Sequence, residues 1–312
     1  MRPWILVPRD WRRPDLEVEY QLFWSQSDKY GMVHPRPDPD EISSFYQVDY
    51  FTHTSEQVVA PKQVPFLDRL LRNLSWRIDK SVSIAPSMVQ PYLPVQGATI
   101  CDIGCGNGTL LSELAPCGAY RVGVENDDAA RAVASVNCDE IHAGTAEHLP
   151  AALDGRQFDV VIMKHVLEHC LDPRQAVENV RRLVKPGGAF ICETPNNHAA
   201  GLRQRAVAWS WLDVPRHLNF FTAQSLTSLC EQAGFRVDQT QFRGYVRQFQ
   251  PPWVENEQHI WDTFRATGTP TGQLPRRNGS WPSWKLFLRT MFAAPARKYD
   301  SVSVIARPVP EA

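Results

Sequence analysis

The middle of the chain alternates short apolar runs with longer stretches of mixed character. Residues 98–103 are an apolar run ending at glycines, the pattern of a buried strand. Residues 109–115 carry helical spacing and stop before Pro116. A second apolar run follows at 120–124, then a helix over 127–136 whose acidic start complements the helix dipole. Residues 140–142 make a weak third strand and 158–163 a strong fourth. Pro173 opens a helix that runs to Val184 and is stopped by Pro186, Gly187 and Gly188; residues 189–193 form a fifth strand. Beyond it lie a helix over 223–233, closed by Gly234, and two alternating strands, 235–242 and 301–307. This alternation predicts an α/β fold, a Rossmann-like, mostly parallel seven-stranded sheet with right-handed crossovers and helices on both faces.

The flanks differ from this core. All ten tryptophans fall at or before Trp76 or at or after Trp209, and prolines crowd the first 94 residues. The expected organisation is an N-terminal extension with cap helices (1–94), a core (95–243), an insertion or lid (244–298) and a last core strand with its tail (299–312). The insertion carries Trp253, Trp261, Trp281 and Trp284.

Composition narrows the function. At 312 residues, with 43% hydrophobic and 21% charged, the chain is ordinary globular protein and not a disordered one. A formal net charge of −1 argues against nucleic acid as the main partner. No apolar run approaches the roughly 20 residues of a membrane-spanning helix. Trp4–Val7 is too short an apolar stretch for a secretory signal. Seven cysteines without a C-x-x-C pair point away from a disulfide framework or zinc ribbon and toward a reducing cytoplasm.

The chemistry starts at Asp102-x-Gly104-x-Gly106-x-Gly108, directly after the first core strand. Glycines there permit a tight turn and let a ligand touch backbone, and the helix that follows offers free N–H groups. Glu125 ends the second strand, where a carboxylate can accept both hydroxyls of a ribose. The dinucleotide pattern G-x-G-x-x-G fails because Thr109 stands at the third glycine, which favours an adenosine ligand without a pyrophosphate. A nicotinamide-dependent oxidoreductase is therefore the weaker alternative, and a non-catalytic cofactor-binding module a second one.

The stretch Cys101-Asp-Ile-Gly-Cys-Gly-Asn-Gly108 resembles motif I of class I S-adenosylmethionine-dependent methyltransferases. The resemblance continues through Val122–Glu125, Phe158–His169, Leu183–Gly188, Glu193–Asn196, Pro215–Thr222 and Ala233–Phe235. These segments are similar to the subgroup that includes ubiquinone-type O-methyltransferases and methyltransferases of bacterial sugar and polysaccharide pathways. The likeness covers about residues 95–242 and the last strand. Tyr30–Asp40 and Asp49–Phe51 also resemble a leader of the polysaccharide-associated members. The resemblance implies S-adenosyl-L-methionine as cofactor, S-adenosyl-L-homocysteine as product, and a small-molecule or glycan acceptor methylated on oxygen. It implies that Gly104, Cys105 and Gly106 contact the methionine part of the cofactor, and that Asp102 orients the loop and approaches the cofactor's amino group. Glu125 would hold the ribose and Asn126 would lie beside the adenine. Thr145 and Ala146 stand where the family usually has an adenine-binding Asp. Lys164 and His165 begin the loop over the cofactor's amino-acid end.

A hydroxyl acceptor calls for a general base, and histidine suits neutral pH. His217 and His165 are the candidates; His169 reads better as a backbone-bonded residue. Arg216 could pair an acceptor carboxylate or phosphate, or bind Asp213. Trp209 and Trp211 are the aromatic residues best suited to line an acceptor pocket. His165, Glu168 and His169 share one helical face, but no metal is expected. Trp284–Phe292 mixes apolar residues with Lys285 and Arg289, so it fits either an interfacial helix or, as expected here, a helix packed on the body of the protein.

Overall fold

Val160 to Met163 are apolar on consecutive positions, so neither face of that strand can meet water, and it becomes the interior of a sheet. A computed structural model describes residues 1–46, 65–81, 83–267 and 280–310. The chain opens with β1 (Arg2–Val7), β2 (Tyr20–Ser25) and β3 (Tyr30–His34), then α1 (Pro39–Phe45), α2 (Phe66–Ile78) and α3 (Pro86–Val89). The core follows as β4 (Thr99–Ile103), α4 (Thr109–Glu113), β5 (Tyr120–Glu125), α5 (Asp128–Ala134), β6 (Glu140–Ala143), β7 (Phe158–Lys164), α6 (Pro173–Leu183) and β8 (Val184–Pro195). After it come α7 (Ala200–Arg205), β9 (Asn219–Phe220), α8 (Ala223–Gln232), β10 (Phe235–Arg243), α9 (Pro251–Ala266), α10 (Trp281–Thr290), α11 (Pro295–Lys298) and β11 (Ser301–Pro308).

The main sheet has the order β10-β11-β8-β7-β4-β5-β6. The four pairings from β8 to β6 are parallel, and β11 pairs antiparallel with both β8 and β10. Alternate residues serve opposite faces. Val161 and Met163 pack with Val177 and Val180 of α6 and Leu226 of α8, while Val160 and Ile162 pack with Leu111 of α4 and Val89 of α3. Helix starts are set by local chemistry. Asp172 accepts from the N–H groups of Arg174 and Gln175 with Pro173 next in line, and Thr222 with Ser225 forms a capping box on α8.

Two expectations gain detail. Beside its helices, the N-terminal extension holds β1, β2 and β3, an antiparallel sheet that β9 completes, with Gly31 opposite Phe220. This sheet buries Val7, Tyr20, Leu22 and Val33 against Trp209, Ile260 and Phe264. Second, Pro186–Gly188 does not separate helix from strand, because β8 already begins at Val184. The leader residues Asp49–Phe51 lie outside the described residues.

Candidate active site

Strand order reverses between β4 and β7, which opens a crevice at their carboxyl ends. The glycine loop leaves β4 there. The N–H groups of Gly104 and Cys105 both donate to the Val124 carbonyl, at 2.7 and 3.1 Å, which docks the loop on β5. The glycines divide the work. A Cβ on Gly104 would sit 2.3 Å from a methyl of Val166, so this residue must be glycine for the next loop to close in. Gly108 lies against α5 and Asn137. Gly106 has φ +56° and open space where a Cβ would be, so only here does backbone face room for a ligand. Cys105 fills the gap under Gly123, whose Cβ would fall 2.8 Å from its sulfur.

Glu125 is held at the loop. Its Oε2 accepts from the Gly106 N–H at 2.8 Å, and its Oε1 accepts from the N–H groups of Asn126 and Asp127 at 2.8 and 2.9 Å. Asp102 is the opposite case. It is buried, its Oδ1 has no hydrogen-bond partner, and burial pushes its carboxyl up to about 7 against the pull of Lys164. A desolvated carboxylate with a vacant oxygen favours a cationic partner. The amino group of S-adenosylmethionine is such a partner, so these residues fit that group. At the adenine end, Asn126 is exposed, and the Thr145 hydroxyl accepts from the His148 N–H at 3.0 Å. The Ala146 carbonyl is taken by the Asn179 amide at 2.8 Å.

His165 follows Lys164 at the end of β7 with φ +56°, a left-handed backbone that a β-carbon resists. Its Nδ1 lies 3.1 Å from Glu168 Oε1 and its Nε2 3.1 Å from Glu193 Oε1. Burial alone would lower its pKa, but the two carboxylates override this and raise it, while the same contacts hold both carboxyls below their usual range despite burial. A carboxylate oxygen facing each ring nitrogen favours the imidazolium form of His165. Each glutamate keeps one buried oxygen without a partner. Trp211 stacks on His165 with ring centroids 4.5 Å apart, and the Arg247 guanidinium sits 4.9 Å above Trp211. Arg247 in turn donates to Asp300 at 2.7 Å.

His217 is buried on the next layer. Its Nδ1 donates to the Trp211 carbonyl at 2.8 Å, which fixes the tautomer and leaves Nε2 as the acceptor. Burial, reinforced by His169, pushes its pKa down to about 4, so the ring is neutral at neutral pH. One ligand atom from each of Glu168, His169 and His217 lies within 4.8 Å of the others. His217 takes the place in this trio that the helical spacing gave to His165. His169 itself bonds the Arg216 carbonyl at 3.0 Å and the Tyr46 hydroxyl at 2.9 Å.

The remaining candidates separate. Trp211 stands in the site. Trp209 is buried within the N-terminal sheet's cluster, against whose edge Trp211 packs. Arg216 is fully buried, with Asp10 at 2.6 Å and Asp213 at 2.9 Å, so its guanidinium is committed to an ion network that ties the first loop of the chain to the segment carrying His217. Sequence reasoning gave no role to Glu193, Arg247 or Asp300. Glu193 had a signal, since it stands near the carboxyl end of its strand as Glu125 does. Arg247 and Asp300 had none, because folding alone brings them under β8.

A family model described as "Methyltransferase domain" matches residues 70–240. The ubiquinone biosynthesis O-methyltransferase of Ruegeria pomeroyi is 32% identical over 227 residues, which cover 67% of this chain and 88% of that protein. The enzyme of the same name from Dinoroseobacter shibae is 35% identical over 153 residues, 45% of this chain and 61% of that protein's length. Among solved structures, a chain of the complex between the Haloferax volcanii Trm112 methyltransferase activator and a methyltransferase superposes with a TM-score of 0.50 over 78% of this chain and 94% of its own; at 14% identity this likeness concerns the fold alone.

Proposed function

From the premise that this chain belongs to the class I S-adenosylmethionine-dependent methyltransferases, we propose that it methylates a hydroxyl oxygen of a small molecule or glycan intermediate. The observation that carries the oxygen assignment is His217, a neutral buried imidazole whose Nδ1–H is tied to a carbonyl and whose Nε2 is left to take a proton. The names of the ubiquinone-pathway relatives favour the same atom.

When bound, the sulfonium supplies an electrophilic methyl group, so the protein's task is alignment and exclusion of water. Gly106 presents backbone, Gly104 lets the neighbouring loop close behind it, Asp102 takes the amino group, and Lys164 borders that end. Glu125 holds the ribose, with Asn126, Thr145 and Ala146 around the adenine. His217 accepts the acceptor's proton. His165, already doubly protonated, acts as a positioning cation that keeps Glu168 and Glu193 in register, and Trp211 provides a flat wall. The vacant oxygens of Glu168 and Glu193 suit an acceptor rich in hydroxyl donors. Arg216 supports the loop rather than the acceptor.

Calorimetry with S-adenosylmethionine and mass spectrometry for a gain of one methylene on matched hydroxyl and amine acceptors test this. Glu125→Ala should weaken cofactor binding at least about tenfold, since it removes a charged acceptor worth more than 1.4 kcal/mol. Methylation of the amines with the hydroxyl compounds untouched would refute the oxygen assignment.

A further inference from the structure

Two helices outside the core each have a packed side and an unusual outer side. Helices α2 and α10 bury Leu71, Leu286 and Phe287 in one cluster with Tyr245 and Phe249. Their inner faces are thus satisfied, as the sequence led one to expect for α10. The outer stripe of α10 reads Trp281, Lys285, Leu288, Arg289, a spacing that keeps all four on one side, and Phe292 follows in the turn directly after the helix. Trp281 is 70%, Leu288 55% and Phe292 90% exposed. On α2 the outer side carries Phe66, Leu67 and Leu70, with Phe66 67% and Leu67 53% exposed, and Arg69 and Arg77 between and beyond them. Residues 66–80 and 281–298 together hold eight basic side chains and two acidic ones, a net +6 within a chain of net −1.

We propose that this two-helix face docks on an anionic bilayer surface. The pattern selects the occupant. Cations stand among the rings and not around their rim, so a protein partner seated on the stripe would bury Lys285 and Arg289 without counter-charges, which is costly. A second copy of this chain would bring the same cations face to face. Lipid headgroups supply phosphates to Lys285 and Arg289 at the level where Trp and Phe side chains settle, with Leu288 and Phe292 reaching the acyl boundary. Among the described residues no helix is long and apolar enough to cross a membrane, so the contact is peripheral. It is independent of the reaction, and its test reads no methyl transfer.

The experiment is flotation of the full chain with vesicles of phosphatidylcholine alone and of phosphatidylcholine mixed with phosphatidylglycerol, at low and high salt. The protein should float with the anionic vesicles at low salt only. Leu288→Glu/Phe292→Glu, and separately Lys285→Glu/Arg289→Glu, should each cut the partition coefficient about tenfold or more while circular dichroism stays unchanged. The second variant changes only exposed charges, so it decides the matter if the first fails to fold. Equal behaviour with neutral and anionic vesicles, flotation of the charge variant like the parent, or a dimer in solution that Phe292→Glu dissociates would overturn the proposal.

Discussion

Gly104→Ala offers a measurable separation of folding from ligand binding in the glycine loop. Two costs add at this position. The backbone sits at φ +70°, where any β-carbon costs about 1–2 kcal/mol. The new methyl would also lie 2.3 Å from Cγ2 of Val166, a branched side chain with little rotational freedom, and overpacking of this kind costs about 1–3 kcal/mol. The expected loss is therefore about 2–5 kcal/mol, read by urea unfolding at constant m-value. Gly106→Ala has a similar φ of +56° but meets no atom within 4 Å, so it should lose only the backbone part, about 1–2 kcal/mol. Its effect belongs instead to the ligand. The methyl would enter the space where S-adenosylmethionine is proposed to bind, and calorimetry should show affinity falling at least about tenfold, or 1.4 kcal/mol. Adding Val166→Ala to Gly104→Ala should restore the packing part and leave the backbone part, as a double-mutant cycle would show. A cycle with no coupling energy would refute the clash, and unchanged affinity in Gly106→Ala would remove the cofactor from that side of the loop.

Other perturbations test the deeper site. His217→Ala should lower kcat about 100-fold or more while cofactor affinity by calorimetry stays within about twofold; equal losses in both would make it a structural residue. His165 has a raised pKa, so its stabilisation is full below its ordinary 6.5 and fades as pH rises through its folded value, while Glu168 and Glu193, held low, contribute above 4.5 and lose their contribution as pH falls through their folded values. The stability gap between the parent and His165→Asn should thus be widest between pH 4.5 and 6.5 and shrink by pH 9; a gap that grows with pH would refute the imidazolium assignment. Arg216→Met strips the buried partner from Asp10 and Asp213 and should cost about 3–5 kcal/mol in chemical denaturation, with a near-neutral result showing that the network carries no net stability.

The amino-acid sequence alone determined the core sheet and pointed to the glycine loop where the cofactor is proposed to bind. Those features are local. Apolar runs bounded by glycine and proline define every core strand but β8 within a residue or two, and a loop whose glycines, Asp102 and Glu125 lie within 24 residues carries its own spacing. The acceptor end was decided only in three dimensions. His165 reads in sequence as a free loop base, and becomes a fixed cation because Glu193 arrives from the neighbouring strand. His217 gains its tautomer from a carbonyl in its own loop, but that loop is held by β9 pairing with a sheet from the other end of the chain, and by Arg216 clamped on Asp10, 206 residues away. The three N-terminal strands were unreadable because they alternate weakly, and the strand that joins their sheet from the far side of the chain, β9, is only two residues long. Short-range patterning records what a residue does to its own segment; contacts between distant segments leave no periodic trace, since each half is individually ordinary and acquires meaning only when burial brings the other half within hydrogen-bonding distance.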